Sequence, residues 1–163
     1  MTDSIIIRSA VPEDSEDLAG IMIAAWQSAF RDILSEETIA QYTQEENCKA
    51  MFCHISASGV GTMYLAALDH QPMGLLYWHA ESEEHARIEA LLTVPEAWGK
   101  GVGAALMGTA LADMSAKGFR TVHVWPFAEN HRAQRFYQKF GFTATGNTHQ
   151  GDALEFEYLR SIP

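Results

Sequence analysis

The stretch Pro95-Glu96-Ala97-Trp98-Gly99-Lys100-Gly101-Val102-Gly103-Ala104 decides how this chain folds. It stands between an apolar run that ends at Val94 and an apolar-rich segment, 101–117, that Gly118 closes. Three glycines at alternate positions let a backbone turn sharply and bring bare N–H groups close to a ligand. Where such a turn opens a helix, those N–H groups and the helix dipole make a site for phosphate. The stretch thus reads as strand, phosphate-binding turn and helix. The plainer alternative is a flexible loop with no ligand.

Two familiar phosphate motifs do not fit. Gly99-x-Gly101-x-x-Ala104 has the form of the dinucleotide fingerprint. In that fingerprint the glycines follow the strand at once, within a parallel sheet, whereas here Pro95 to Trp98 intervene. The Walker pattern fails because Lys100 is followed by Gly101 and not by Ser or Thr.

Outward from this centre, hydrophobic periodicity sets the other elements. IIIRS (5–9) reads as a strand, and Pro12 with EDSED places acids in the first turn of a helix running through Leu18, Ile21, Met22, Ala25 and Phe30. A second helix is expected from Glu36 to about His54, with Ile39, Tyr42, Met51 and Phe52 near one face. TMYLAAL and MGLLYWH, joined through DHQP, form a hairpin, and a strand at 87–94 ends at Pro95. TVHVW is the next strand, Asn130–Lys139 a short helix ended by Gly141, and FTATG and ALEFEYL two final strands. The order βααβββαβαββ describes one α/β domain over 1–163. Its central sheet is mixed and mostly antiparallel, with helices on both faces.

Composition narrows the function. The chain has 163 residues, 47% of them hydrophobic, and a formal charge of −10, which argues against nonspecific binding to nucleic acid or anionic membrane. Two cysteines make no disulfide framework, and seven histidines show no HExxH or comparable cluster, so no metal is expected. There is no apolar run of about 18 residues and no basic, apolar leader, so a cytoplasmic location is the expectation. The charge is uneven: residues 87–139 carry +3 and the remainder −13. A mildly basic segment in an acidic chain suits an anion, although basic residues clustered on two solvated helices would look the same.

A second stretch, Asn130-His-Arg132-Ala133-Gln-Arg-Phe136-Tyr137-Gln-Lys-Phe140-Gly141-Phe142, spaces Ala133, Phe136, Tyr137 and Phe140 as i, i+3, i+4 and i+7. That is the stripe of a core-facing helix, so spacing alone makes Tyr137 a packing residue.

Taken together, the two stretches resemble the core of the GNAT superfamily of acetyl-CoA-dependent N-acetyltransferases. Trp98-x-x-Gly101-x-Gly103 is similar to that family's Arg/Gln-x-x-Gly-x-Gly/Ala pyrophosphate motif, and 130–142 to its Asn-x-x-Ala-x-x-Phe-Tyr-x-x-x-Gly-Phe signature. The resemblance implies transfer of an acetyl group from acetyl-CoA to a primary amine of a small molecule or peptide. Backbone groups of Leu91, Leu92 and Thr93 would bond the pantetheine arm, and Gly99, Lys100, Gly101, Val102, Gly103 and Ala104 would hold the pyrophosphate. Asn130 would fix the pantetheine end, and Tyr137 would protonate the departing thiolate. Glu89, in the strand before the glycine loop and on the face of Leu91 and Thr93 by simple alternation, is the candidate base. A solvated strand-edge glutamate is the other reading of it. An ammonium must lose its proton before it attacks, and a carboxylate can take it directly or through water.

The sequence also departs from the pattern. Trp98 stands where Arg or Gln is usual, and Arg87 where an acid is common. Trp26 and Phe30, with Trp78 on the hairpin, are candidate walls of the acceptor pocket, although i, i+4 aromatics on a helix also suit an ordinary core. The acidic remainder suits a cationic amine or polyamine by attraction, and equally suits mere solubility; a second copy of the chain is a candidate partner. A catalytically idle acyl-CoA-binding or sensor domain would need the same glycine loop.

Overall fold

The computed structural model describes residues 4–163. Strand β1 (Ile5–Ser9) leads through a short 3-10 turn at Pro12–Asp14 into α1 (Ser15–Ala29), followed by α2 (Glu36–Tyr42) and α3 (Glu45–Ser58). Then come β2 (Thr62–Leu68), β3 (Gln71–Ala80) and β4 (His85–Thr93). A 3-10 turn at Pro95–Ala97 precedes α4 (Val102–Ala116), β5 (Thr121–Val124), α5 (His131–Lys139), β6 (Thr143–Gln150) and β7 (Leu154–Ser161).

The strands form one seven-stranded sheet in the order β1-β2-β3-β4-β5-β7-β6. Among the described residues β4 and β5 make the parallel pair, and the other ladders are antiparallel. The mixed, mostly antiparallel α/β fold is as expected. The helix count is not, because the segment expected as one helix from Glu36 is two. Thr43 Oγ1 donates to the Ile39 carbonyl and Gln44 Nε2 to that of Ala40, closing the end of α2. Glu45 and Glu46 then occupy a fresh first turn, where carboxylates favour the positive end of a helix.

Both faces of the sheet are covered. The α4 face is identified by Tyr64, whose hydroxyl donates to Asp113 Oδ2 of α4 at 2.6 Å, and by Gly74, where an added Cβ would lie 2.9 Å from Val102 and 3.0 Å from Leu106. Residues paired with these, among them Leu76, Thr93 and Leu91, share that face. The opposite face, with Leu75 wholly buried, packs against α1. Leu18, Ile21, Met22 and Ala25, spaced as one helical stripe, supply the α1 side of the core.

One ion pair ties β1 to the entry of α1. Arg8 meets both carboxylate oxygens of Asp14, at 2.7 and 2.8 Å, and the Val11 N–H donates to the same carboxylate at 2.8 Å. These bonds, the Arg8 guanidinium's first among them, outweigh burial and hold the Asp14 carboxyl below its usual range.

Candidate functional site

The site is built where two strands stop pairing. β4 and β5 are in register over three residue pairs, His85 with Thr121, Ala86 with Val122 and Arg87 with His123, and then part. From Ile88 to Thr93 the β5-facing edge of β4 therefore has no strand partner, while its other edge stays paired to β3. Leu91, Leu92 and Thr93 lie on this open length.

A bulge marks the divergence. Tyr77 pairs with Ala90 and Trp78 with Ile88, which leaves Glu89 as an extra residue in β4. The bulge breaks the alternation assumed from sequence. Glu89 does not share a face with Leu91 and Thr93, which lie on the α4 side. It lies with His79 and Arg87 on the other face. His79 Nε2 is 2.8 Å and Arg87 Nε 3.0 Å from Glu89 Oε1.

The polar row continues beyond Glu89. Arg87 also reaches Glu81 at 3.6 Å, and His123 stands between two carboxylates, with Nε2 2.8 Å from Glu81 and Nδ1 2.8 Å from Glu157. Burial pushes the Glu157 carboxyl up, but hydrogen bonds from His123, Asn147 and Thr145 outweigh it and keep the group below its ordinary value. His123, Glu81 and Glu157 were not singled out from sequence. The available signal was His123 set between the buried Val122 and Val124, a polar residue at every second place of a short strand.

The glycine turn is formed as its composition requires. Gly99 and Gly101 have φ of +77° and +86°, a region that favours glycine, and Gly101 caps α4. The Ala105 N–H is the one that bonds back to Gly101, at 3.0 Å, which leaves the N–H groups of Val102, Gly103 and Ala104 without a helical partner. No acid lies in the first turn of α4. These free donors and the dipole fit an anion such as a pyrophosphate.

The model of the acetyltransferase (GNAT) family matches residues 23–142. The chain belongs to this family. An uncharacterized GNAT relative, an N-acetyltransferase of Archaeoglobus fulgidus, is 26% identical over 137 residues, 80% of this chain and 88% of its own length. Another, from Mycobacterium tuberculosis, is 26% identical over 133 residues, 82% and 85% of the two chains. Among solved GNAT folds, the paia N-acetyltransferase of Thermoplasma acidophilum in complex with coenzyme A superposes with a TM-score of 0.85 at 23% identity, covering 97% of this chain and 99% of that one. A GCN5-related N-acetyltransferase from Rhodopseudomonas palustris gives 0.79 at 22%, covering 99% and 98%. At these identities the likeness is one of fold.

The remaining residues of the GNAT motifs fall on α5. Asn130 caps it, its side-chain oxygen accepting from the Ala133 N–H at 3.2 Å. Tyr137 is buried, beside the rings of Phe136 and Phe142, and its hydroxyl has no hydrogen-bond partner among the described residues. Burial raises its pKa above the usual phenol value, so the proton stays in place at neutral pH.

The acceptor-side candidates separate. Trp26 and Phe30 stack edge-on at 5.2 Å. Trp26 also meets Tyr42 of α2 at 5.2 Å, and Phe30 meets Phe127, after β5, at 5.0 Å. The Asp152 carboxylate beside the Tyr42 phenol raises its pKa, which brings the β6–β7 turn to the same cluster. Tyr42 and Phe127 thus complete an aromatic cluster around Trp26 and Phe30 that sequence reading did not assemble. Trp78 does not join them. It is 3% exposed on the α4 face, packed on Phe119 at 5.3 Å with its indole N–H toward the Tyr64 hydroxyl, so it is core on the wrong side of the sheet for Glu89. A cavity of about 450 Å³ lies beside Tyr64, Asp113 and Lys117 and between α3 and α4, and no residue of the Glu89 row lines it. Among the described residues no group of three His, Cys, Asp or Glu is placed to hold a metal ion.

Proposed function

We propose that this protein transfers an acetyl group from acetyl-CoA to a primary amine by direct attack. The observation that carries the reading is the parting of β4 from β5 beyond Arg87 and His123, next to a helix start with free amides. An extended amide-bearing arm lying in that gap bonds the unpaired edge of Leu91, Leu92 and Thr93 as a strand would. Gly99 to Ala104 then hold its diphosphate, and Asn130 and Tyr137 lie on the helix that follows the diverging strand. When bound, acetyl-CoA supplies an acyl group activated by its bond to sulfur.

Glu89 takes the proton of the ammonium, directly or through one water, freeing the nitrogen lone pair. The amine nitrogen forms the new bond to the acyl carbon, the carbon–sulfur bond breaks, the Tyr137 hydroxyl protonates the departing thiolate, and the second proton that the nitrogen sheds on becoming an amide returns through water to the Tyr137 phenolate. A phenol whose pKa is raised by burial is neutral at pH 7 and so has that proton to give. N–H groups near Leu92 and Thr93 stabilise the negative charge that gathers on the carbonyl oxygen.

The acceptor enters on the α1 face, where Trp26, Phe30, Tyr42 and Phe127 give aromatic walls and Glu81, Glu157 and Asp152 give carboxylates. Aromatic faces and carboxylates together favour a cationic amine. One observation favours the idle acyl-CoA-binding alternative: Glu89 is already engaged by Arg87 and His79. A panel of diamines, polyamines, amino acids and peptides with acetyl-CoA, read as released thiol, decides between them. Turnover on a cationic amine is the expected result, and tight CoA binding with no turnover on any acceptor would leave the sensor reading.

A further inference from the structure

Trp98 replaces the motif's Arg or Gln, yet a guanidinium still stands at the loop. The Arg132 guanidinium carbon lies 3.8 Å from the centre of the Trp98 indole. Trp98 is 38% exposed and immediately precedes Gly99-Lys100-Gly101. The start of α4 packs against α5, because a Cβ at Gly103 in the first turn of α4 would touch the Phe136 ring at 3.5 Å. Arg132 is four residues before Phe136 on α5, so it shares that face one turn nearer the helix start.

Helix stability does not account for Arg132. It sits in the first turn of α5, where the dipole disfavours a cation. It makes no salt bridge among the described residues, and the first turns of α4 and α5 contain no acid that would neutralise it. Desolvation lowers its pKa from the ordinary guanidinium value, as expected of a cation held against a ring without an anion. The positive start of α4, with the free amides of Val102 to Ala104, and the Arg132 guanidinium stacked on Trp98 therefore lie on the two sides of one glycine loop. An indole is the surface on which a guanidinium stacks while leaving its N–H edge free for phosphoryl oxygens.

We infer that Arg132, oriented by stacking on Trp98, binds the diphosphate of the acyl-CoA co-substrate and supplies from α5 the donor that the glycine loop lacks at position 98. This rests on the acetyl-CoA reading above. It assigns Arg132 a binding role and Trp98 a positioning role.

The test is calorimetric titration of the purified protein with CoA and with 3′-dephospho-CoA. Wild-type protein is expected to bind both. Arg132→Ala should weaken both by about tenfold or more, the scale of a lost charge-assisted bond, with an unchanged melting temperature in the absence of ligand. The gap should narrow as salt is raised. Trp98→Ala should weaken binding by a smaller factor, and Trp98→Arg placed in the Arg132→Ala background should restore affinity in part. Equal affinity of wild type and Arg132→Ala for CoA overturns the assignment. A loss seen with CoA and absent with 3′-dephospho-CoA also overturns it, since Arg132 would then serve the ribose phosphate. Failure of the wild-type protein to bind either ligand would instead defeat the acetyl-CoA reading itself.

Discussion

Arg87 Nε lies 3.0 Å from Oε1 of Glu89, the same oxygen that His79 meets from β3 at 2.8 Å. The arginine that departs from the family pattern is thus the neighbour that holds the candidate base. Both contacts fall on one oxygen, so the second is the one available to a water or an ammonium. Glu89→Gln should lower kcat by about 10²- to 10⁴-fold near neutral pH, and by less at high pH, where the amine loses its proton unaided. Arg87→Ala removes the side chain that holds Glu89 from its own strand, so kcat should fall while CoA affinity holds. Initial-rate profiles of the two variants check both, and a Glu89→Gln enzyme with an unaltered profile would assign the base elsewhere.

Tyr137→Phe separates packing from proton donation. The hydroxyl has no partner among the described residues, so its removal should leave the melting temperature within about 2 °C of wild type. If it protonates the thiolate, kcat should fall by about 10²-fold or more while CoA affinity holds. Single-turnover rates with calorimetric CoA binding give both quantities. Near-normal turnover with chemistry limiting would leave Tyr137 as a core residue.

The glycines of the loop should not be equivalent. At Gly103 a Cβ makes an ordinary contact with Phe136, so Gly103→Ala should fold normally, whereas Gly103→Val forces α4 and α5 apart and should lower both stability and CoA affinity. Gly101 has φ +86°, where a side chain is strained, so Gly101→Ala should cost about 1–2 kcal/mol. Denaturant melts of the three variants provide the comparison.

The Arg8–Asp14 pair makes stability depend on acid. Because the folded carboxyl has a depressed pKa, its contribution is fully present above the unfolded value of about 3.9 and is lost as pH falls through the folded one. Arg8 is half exposed, so solvent screening limits the effect, and Asp14→Asn should cost about 1 kcal/mol at pH 7. Thermal melts from pH 7 down to pH 2 should show the variant and wild type converging at the acid end.

Most elements were legible because each carries its own period or stop signal. The hairpin of β2 and β3, the helix that Gly118 ends and the Asn130 cap of α5 are written locally. The break between α2 and α3 was missed because Thr43 and Gln44 interrupt no hydrophobic stripe, and their closing role needs side-chain bonds to Ile39 and Ala40. The face of Glu89 was misread for a different reason. A bulge is a property of pairing with β3, and period-two reasoning along β4 alone cannot contain it. Trp78 failed likewise, since which side of a hairpin faces α4 is set by contacts such as Tyr64 with Asp113, 49 residues apart. His123 between Glu81 and Glu157 joins three strands' neighbourhoods and has no local signature.

With β4 and β5 joined over three residue pairs, the sheet is in effect two leaves sharing a short seam, β1 to β4 on one side and β5, β7 and β6 on the other. The seam is the shortest ladder of the sheet among the described residues, and it runs along the place where a ligand would lie. An occupant bonded to the β4 edge and to the start of α4 would act as a splint across it. Resistance to partial opening, and with it protection of the β4 amides from solvent exchange, would then be a property of the liganded protein more than of the chain alone.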